Sequence, residues 1–208
     1  MMESCLYAHL KGFSTDMKKS NFIALATLAV AFSVFTILSL ITCDNVLQGY
    51  KHLPKWGISI VGIVFLLMLF IPNIIWAKNQ PEGYEEAAKR ESKKLLAFEH
   101  TGEVLACMFV VSDRRLDNFS TSPRLGYALV ALVLMMIYEL YWIKYFRSSR
   151  TLANMYSDFC GFPLAGATLP VFTLFLLGIY SQNIILITTA VILGIGHIGI
   201  VRPSGRKP

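Results

Sequence analysis

The chain has 208 residues, 55% of them hydrophobic and only 15% charged, with a mean hydropathy of +0.55 and a net charge of +6. A soluble domain carries roughly a quarter charged residues, so this composition excludes a separate water-soluble domain and points to one polytopic membrane domain. Nucleic acid is excluded as a partner: Lys and Arg sit between apolar runs, as topology signals do, and form no basic face interleaved with stacking aromatics.

Residues 1–20 form a polar leader ending in Lys18 and Lys19. The apolar run at residues 22–42 is too long for the core of a cleavable signal peptide, and is expected to remain as a first span. Asp44, Asn45, Gln48 and Gly49 mark a turn. Residues 56–77 make a second span, closed by the interfacial Trp76 and by Lys78. Pro72 removes a backbone donor from that span, so the carbonyl it frees and the amide of Asn73 need partners inside the protein. Pro81 opens a solvated helix over residues 82–94, with Glu85–Lys89 and Glu86–Arg90 spaced i,i+4. This helix is expected to run without a break into a third span, residues 95–112.

Residues 113–124 read as a polar loop, and its Asn118-Phe119-Ser120 match to a glycosylation sequon is taken as chance. A fourth span covers residues 125–143. Beyond it, Leu152, Met155, Tyr156 and Phe159 fall at i, i+3, i+4 and i+7, the pattern of a short amphipathic helix lying at the interface. The fifth span, residues 163–180, and the sixth, residues 184–201, are joined by the tight turn Ser181-Gln182-Asn183 and are expected to be antiparallel neighbours. The predicted fold is thus all-α, a bundle of six transmembrane helices plus a short interfacial helix. With the amino terminus inside, fourteen of the nineteen Lys and Arg residues fall in cytoplasmic segments and five in outer loops, which predicts a multi-pass protein of the cell membrane with both termini cytoplasmic. The two halves of the chain share no alignable repeat.

That orientation places the intramembrane polar residues at one depth. Asn73, Glu139 and His197 each precede a flanking Lys or Arg by five residues, about 7–8 Å along a helix. Glu99 and Glu103 lie roughly 6 and 12 Å into the third span. Ionisable groups at membrane depth are costly, so their presence is a functional hypothesis. Asn73, Glu99, Glu103, Glu139 and His197 are therefore expected to line a cavity open toward the cytosol, with Tyr138 and Trp142 near enough to Glu139 to join it. Each has a plainer reading. Glu99 can snorkel toward Lys93 and Lys94, Glu139 can pair with Arg147 or Arg150, and His197 can be a satisfied packing residue. His100 is read as interfacial, and Tyr138, Tyr141, Trp142 and Tyr145 as an aromatic belt.

Three carboxylates and an imidazole suit acid/base work, because a desolvated Glu is a proton donor near neutral pH and a histidine can relay the proton. Glu and His also suit Zn, Fe or Mn, but no HEXXH or EXXH spacing is present and no metal site is assigned. The sequence names no cofactor. The four cysteines are too far apart for a CxxC motif, and Cys107 is read as a small apolar packing residue. Residues 194–199 match GxGxxG, but inside a membrane helix, without the strand that the dinucleotide motif requires.

The stretches Ile71-Pro72-Asn73-Ile74-Ile75, Arg150-Thr151-Leu152-Ala153, residues 161–170 (GFPLAGATLP) and residues 194–199 (GIGHIG), with Glu99 and Gly102, carry a resemblance. Over roughly residues 55–201 the chain resembles a family of small bacterial multi-pass membrane proteins. The resemblance implies the membrane setting, brings no activity with it, and does not extend to the leader.

A cavity half-open to cytosol and bilayer suits an amphiphile. The expected function is an intramembrane enzyme acting on a lipid or isoprenoid-like substrate, with Glu103 or Glu139 as acid/base. The alternatives are a proton-coupled transporter or small-solute permease, for which a second polar layer on the outer side would speak, and a non-catalytic membrane subunit.

Overall fold

The computed structural model describes residues 55–119 and 124–204, and they are all-helical, with no strand among them. Seven α-helices are present among the described residues: α1 (Ile60–Ala77), α2 (Tyr84–Ala88), α3 (Lys93–Val111), α4 (Leu125–Arg147), α5 (Leu152–Met155), α6 (Ala165–Ser181) and α7 (Ile184–Ser204), with a 3₁₀ turn at Arg114–Asp117. The expected first span, residues 22–42, lies outside the described residues.

Two of these helices, α1 and α4, are long and apolar enough to cross a membrane. Only 17% of the apolar window of α1 and 33% of that of α4 is buried inside the protein, whereas a core helix of a soluble protein is mostly covered. Ile60, Leu67, Ile71 and Ile74 on α1, and Leu129, Val133, Met136 and Leu140 on α4, are all more than half exposed. Apolar faces of this extent mark a lipid or protein contact rather than a water-facing surface. Helices α6 and α7 are apolar but shorter by the same measure, and α3 carries Lys93, Lys94, Glu99 and Glu103 along its length.

Glycines set the tightest crossing. A Cβ at Gly102 of α3 would fall on the Leu193 backbone of α7, and one at Gly196 of α7 would fall on Glu99. Leu95 lies against Gly199 in the same series, so α3 and α7 run antiparallel and nearly backbone to backbone. Gly62 of α1 meets the Val110 carbonyl region of α3 in the same way. Small residues let helices approach this closely, and close approach is what dispersion between helices rewards. The α6–α7 pair is a hairpin whose turn places Gln182 at φ 56, with its N–H donating to Ile179 O and that of Asn183 to Gly178 O.

Two expectations for the flanking segments are corrected. The helix expected over residues 82–94 does not run into the third span. Gly83, at φ 79, starts the five-residue α2, and a break at residues 89–92 separates it from α3. The amphipathic segment after α4 is helical only over Leu152–Met155, because Tyr156 turns inward and Phe159 pairs by backbone hydrogen bonds with Phe162.

The loop at the other end is the best-bonded part of the molecule. Asp113 is 0% exposed. It accepts hydrogen bonds from the backbone N–H groups of Lys55 and Arg115, from the Arg115 guanidinium at 3.1 Å, and from Asn183 Nδ2 at 3.0 Å. Asp117 accepts from the N–H groups of Ile60 and Val61 and from the Ser59 hydroxyl, covering the orphan donors at the start of α1.

Candidate functional site

At the end of the bundle where α1 and α4 finish and α3 and α6 begin, the helices part around a cavity of about 390 Å³. Asn73 of α1, Glu99 and Glu103 of α3, Tyr138 and Trp142 of α4, and His197 of α7 all line it. Pro72 interrupts α1 beside it, and Asn73 Nδ2 is held by Leu69 O at 2.9 Å and by Tyr138 Oη at 3.2 Å. The Asn73 amide thus finds its partners inside the protein, and the bond ties α1 to α4 across the cavity wall.

In the cavity His197 Nδ1 meets Glu99 Oε1. The side chains are 28% and 15% exposed. They meet because the Gly196 backbone packs directly on Glu99, which brings the neighbouring imidazole within reach of the carboxylate. With Nδ1 donating to Glu99, the imidazole is oriented and Nε2 is the ring nitrogen left for other work: a base when the ring is neutral, an acid when it is protonated. Glu103 is one turn further along α3. Its side chain is 51% exposed, and His100 Nδ1 lies 3.6 Å from it.

Glu139 is not part of this site. It does not line the cavity, although sequence depth placed it with the others. On α4 it stands about 100° round from Tyr138, on the opposite side from Tyr141, which does line the cavity. Its Oε1 is buried with no hydrogen-bond partner among the described residues. His100, expected at the interface, does line the cavity. Tyr138, Tyr141 and Tyr145 are 1%, 1% and 2% exposed, which makes them a buried aromatic stripe and not an interfacial belt. Tyr141 fixes α5 by donating to Met155 O.

Several lining residues were not singled out from the sequence as site residues: Trp76, Tyr84, Glu91, Tyr141 and Tyr156 among them. The spacing of Tyr138, Tyr141, Trp142 and Tyr145 at i, i+3, i+4 and i+7 is a helical face and was the available signal for part of this set. Trp76 and Tyr84 meet edge to face, with ring centroids 4.8 Å apart. Tyr138 and Trp142 also meet edge to face, at 6.1 Å. Glu91, in the break between α2 and α3, has its pKa raised by burial and by the charge of Glu99, an effect opposed by His197 and His100. Burial, with Glu91 next in weight, likewise holds the Tyr84 phenol above its ordinary range, so it stays a neutral donor.

Leu164 closes the cavity at the start of α6, in the left-handed region at φ 50. That conformation is costly for a residue with a Cβ. The Asp158 carboxylate holds it by accepting from the Leu164 N–H at 3.0 Å. No group of three or more His, Cys, Asp or Glu side chains among the described residues is arranged to hold a metal ion. No protein-family model, curated protein or solved structure matches the chain.

Proposed function

We propose that this chain is a six-span protein of the cell membrane, both termini cytoplasmic, and an enzyme that acts by acid/base chemistry on a lipid or isoprenoid-like substrate. The observation that carries this reading is the shared cavity: an oriented Glu99–His197 pair and Glu103 on one wall, apolar and aromatic side chains on the rest. His197 Nε2 is the proton-transferring atom, Glu99 the residue that orients it, and Glu103 a second carboxylate beside the same space. Asn73, Tyr138 and Trp142 bind the substrate. A volume near 390 Å³ suits a headgroup and the first part of a chain. The rest of the chain can lie along the exposed apolar faces of α1 and α4.

The six spans and their direction are supported by the charge asymmetry of fourteen Lys and Arg residues against five. They are supported also by the up-and-down course of α1, α3, α4, α6 and α7. Transport is the weaker reading. A polar layer does exist at the far end, around Asp113, but it is closed on itself. Among the described residues, the helix segments between it and the cavity carry the buried apolar side chains Val110, Ala131, Met135, Leu177 and Leu186, with Thr173 and Thr189 as buried hydroxyls.

The test compares total lipid extracts, by mass spectrometry, from membranes holding the wild-type chain and from membranes holding His197→Gln at matched folded level. A lipid species that is consumed or formed only with the wild type is expected. Identical profiles with both chains folded would overturn the enzyme reading. A merely structural pair would instead show as a loss of folded His197→Gln.

A further inference from the structure

The charge around the cavity is one-sided in a way that composition hides. Lys78, Lys89, Arg90, Lys93, Lys94, Lys144, Arg147 and Arg150 all belong to this end of the bundle, and every one is exposed. No Lys or Arg among the described residues lines the cavity. Its ionisable lining is Glu91, Glu99, Glu103, His100, His197, the thiol of Cys107 and tyrosines. Glu99 is answered by His197, and Glu103 is only 3.6 Å from a largely exposed His100. Among the described residues the lining therefore carries three carboxylates and two imidazoles, with no Lys or Arg.

Such a lining discriminates between headgroups. A phosphate, diphosphate or carboxylate would meet carboxylates, with neither a guanidinium nor an ammonium to receive it. An organic ammonium would meet charge complementarity on the α3 wall and aromatic rings on the others. Trp76 and Tyr84, both partly exposed among the lining residues, are inclined at 87° to each other, whereas Tyr138, Tyr141 and Trp142 are nearly buried. An aromatic face open to the space can receive an alkylammonium group.

Resting on the proposed substrate cavity, we infer that its ligand is a cationic amphiphile: an organic amine or quaternary ammonium head on an apolar chain, with the head beside Glu103 and the aromatic wall. An amine head can exchange a proton with the His197–Glu99 pair, and a quaternary head cannot. The two therefore separate binding from acid/base work.

The test uses four probes with one tail and different heads: dodecylamine, dodecyltrimethylammonium, dodecanol and dodecyl phosphate. Each is titrated below its micellar concentration into the full chain in a neutral maltoside detergent. Intrinsic tryptophan fluorescence reports binding, because two of the three Trp residues of the chain line the cavity. Both ammonium probes are expected to bind at least tenfold more tightly than dodecyl phosphate, and more tightly than dodecanol. Glu103→Gln, at an exposed position, is expected to reduce that preference several-fold, while Glu85→Gln, on the exposed face of α2, leaves it unchanged. Equal binding of all four heads, or a preference for the alcohol or the phosphate, would overturn the cation inference and leave the amphiphile cavity standing. Failure of every probe to bind the folded chain would overturn both. The wild-type series decides the question even where a variant does not fold.

Discussion

Asp113, just past the end of α3, and Glu103, at the middle of that helix, are ten residues apart in sequence, and they are treated in opposite ways. Asp113 is wholly buried, and its two oxygens receive bonds from two backbone N–H groups, Arg115 and Asn183. Glu103 is half exposed and faces an open space, with one imidazole at 3.6 Å. A buried charge survives only when its hydrogen-bonding capacity is filled. The Asp113 end is filled from within the chain and works as a clasp. The Glu103 end leaves capacity over, which is what a binding site must do.

The contrast can be broken most forcefully at Asp113. Asp113→Ala would remove the shared acceptor of two backbone N–H groups, the Asn183 amide and an Arg115 N–H from a buried site, at a cost of about 3–5 kcal/mol. It is expected to abolish recovery of folded protein by size-exclusion chromatography in detergent. Asn183→Ala should come next. Asn183 Oδ1 caps α7 by accepting from Ile185 and Leu186 at 3.1 Å, and its Nδ2 serves Asp113. A loss of roughly 2 kcal/mol, read as a lower thermal midpoint, is expected from the cap and the amide together.

At the cavity end the same kinds of change should cost less. Glu99→Gln keeps the shape and weakens one partly exposed pair, so about 1 kcal/mol or less is expected in thermal unfolding, with any lipid-modifying activity lost. Glu103→Gln should leave the midpoint within about 0.5 kcal/mol of wild type while reducing ligand binding. A large stability loss at Glu103 would erase the distinction between the two ends.

The smallest effect concerns pH. Because burial and Glu99 raise the pKa of Glu91, the folded chain holds that proton more tightly than the unfolded chain does. Stability should therefore fall as pH rises from the ordinary glutamate value, about 4.3, through the raised folded one. Glu91→Gln should flatten that slope and lift the midpoint at pH 7 by about a degree or two.

What the sequence made legible was height, and what it concealed was rotation. Distance from a flanking Lys or Arg set the level of Asn73, Glu99, Glu103 and His197, and all four line one cavity. The same measure chose Glu139, which does not line the cavity. The spacing of Tyr138, Tyr141, Trp142 and Tyr145 marks one face of α4, but the helix is apolar on nearly every other side, so nothing in the sequence states that this face and not the one bearing Glu139 turns inward. The Asp113 clasp was invisible for a different reason. Its partners Lys55 and Asn183 are 58 and 70 residues away, so only the packed chain brings them together. The helical spacing of the α4 aromatics was present in the sequence. A buried stripe and an interfacial belt draw on the same residue types, and only their exposure tells them apart.

The glycine contacts carry a consequence for descent. Gly62, Gly102 and Gly196 each face the backbone of a neighbouring helix with no room for a single added carbon, whereas Gly126 has nothing within 4 Å among the described residues. Related chains that keep this cavity should be free to drift at residue 126 and barred from drifting at the other three. In such a lineage the invariant positions would include residues that touch no substrate at all, and a mutational scan scored by survival would rank Gly196 beside His197.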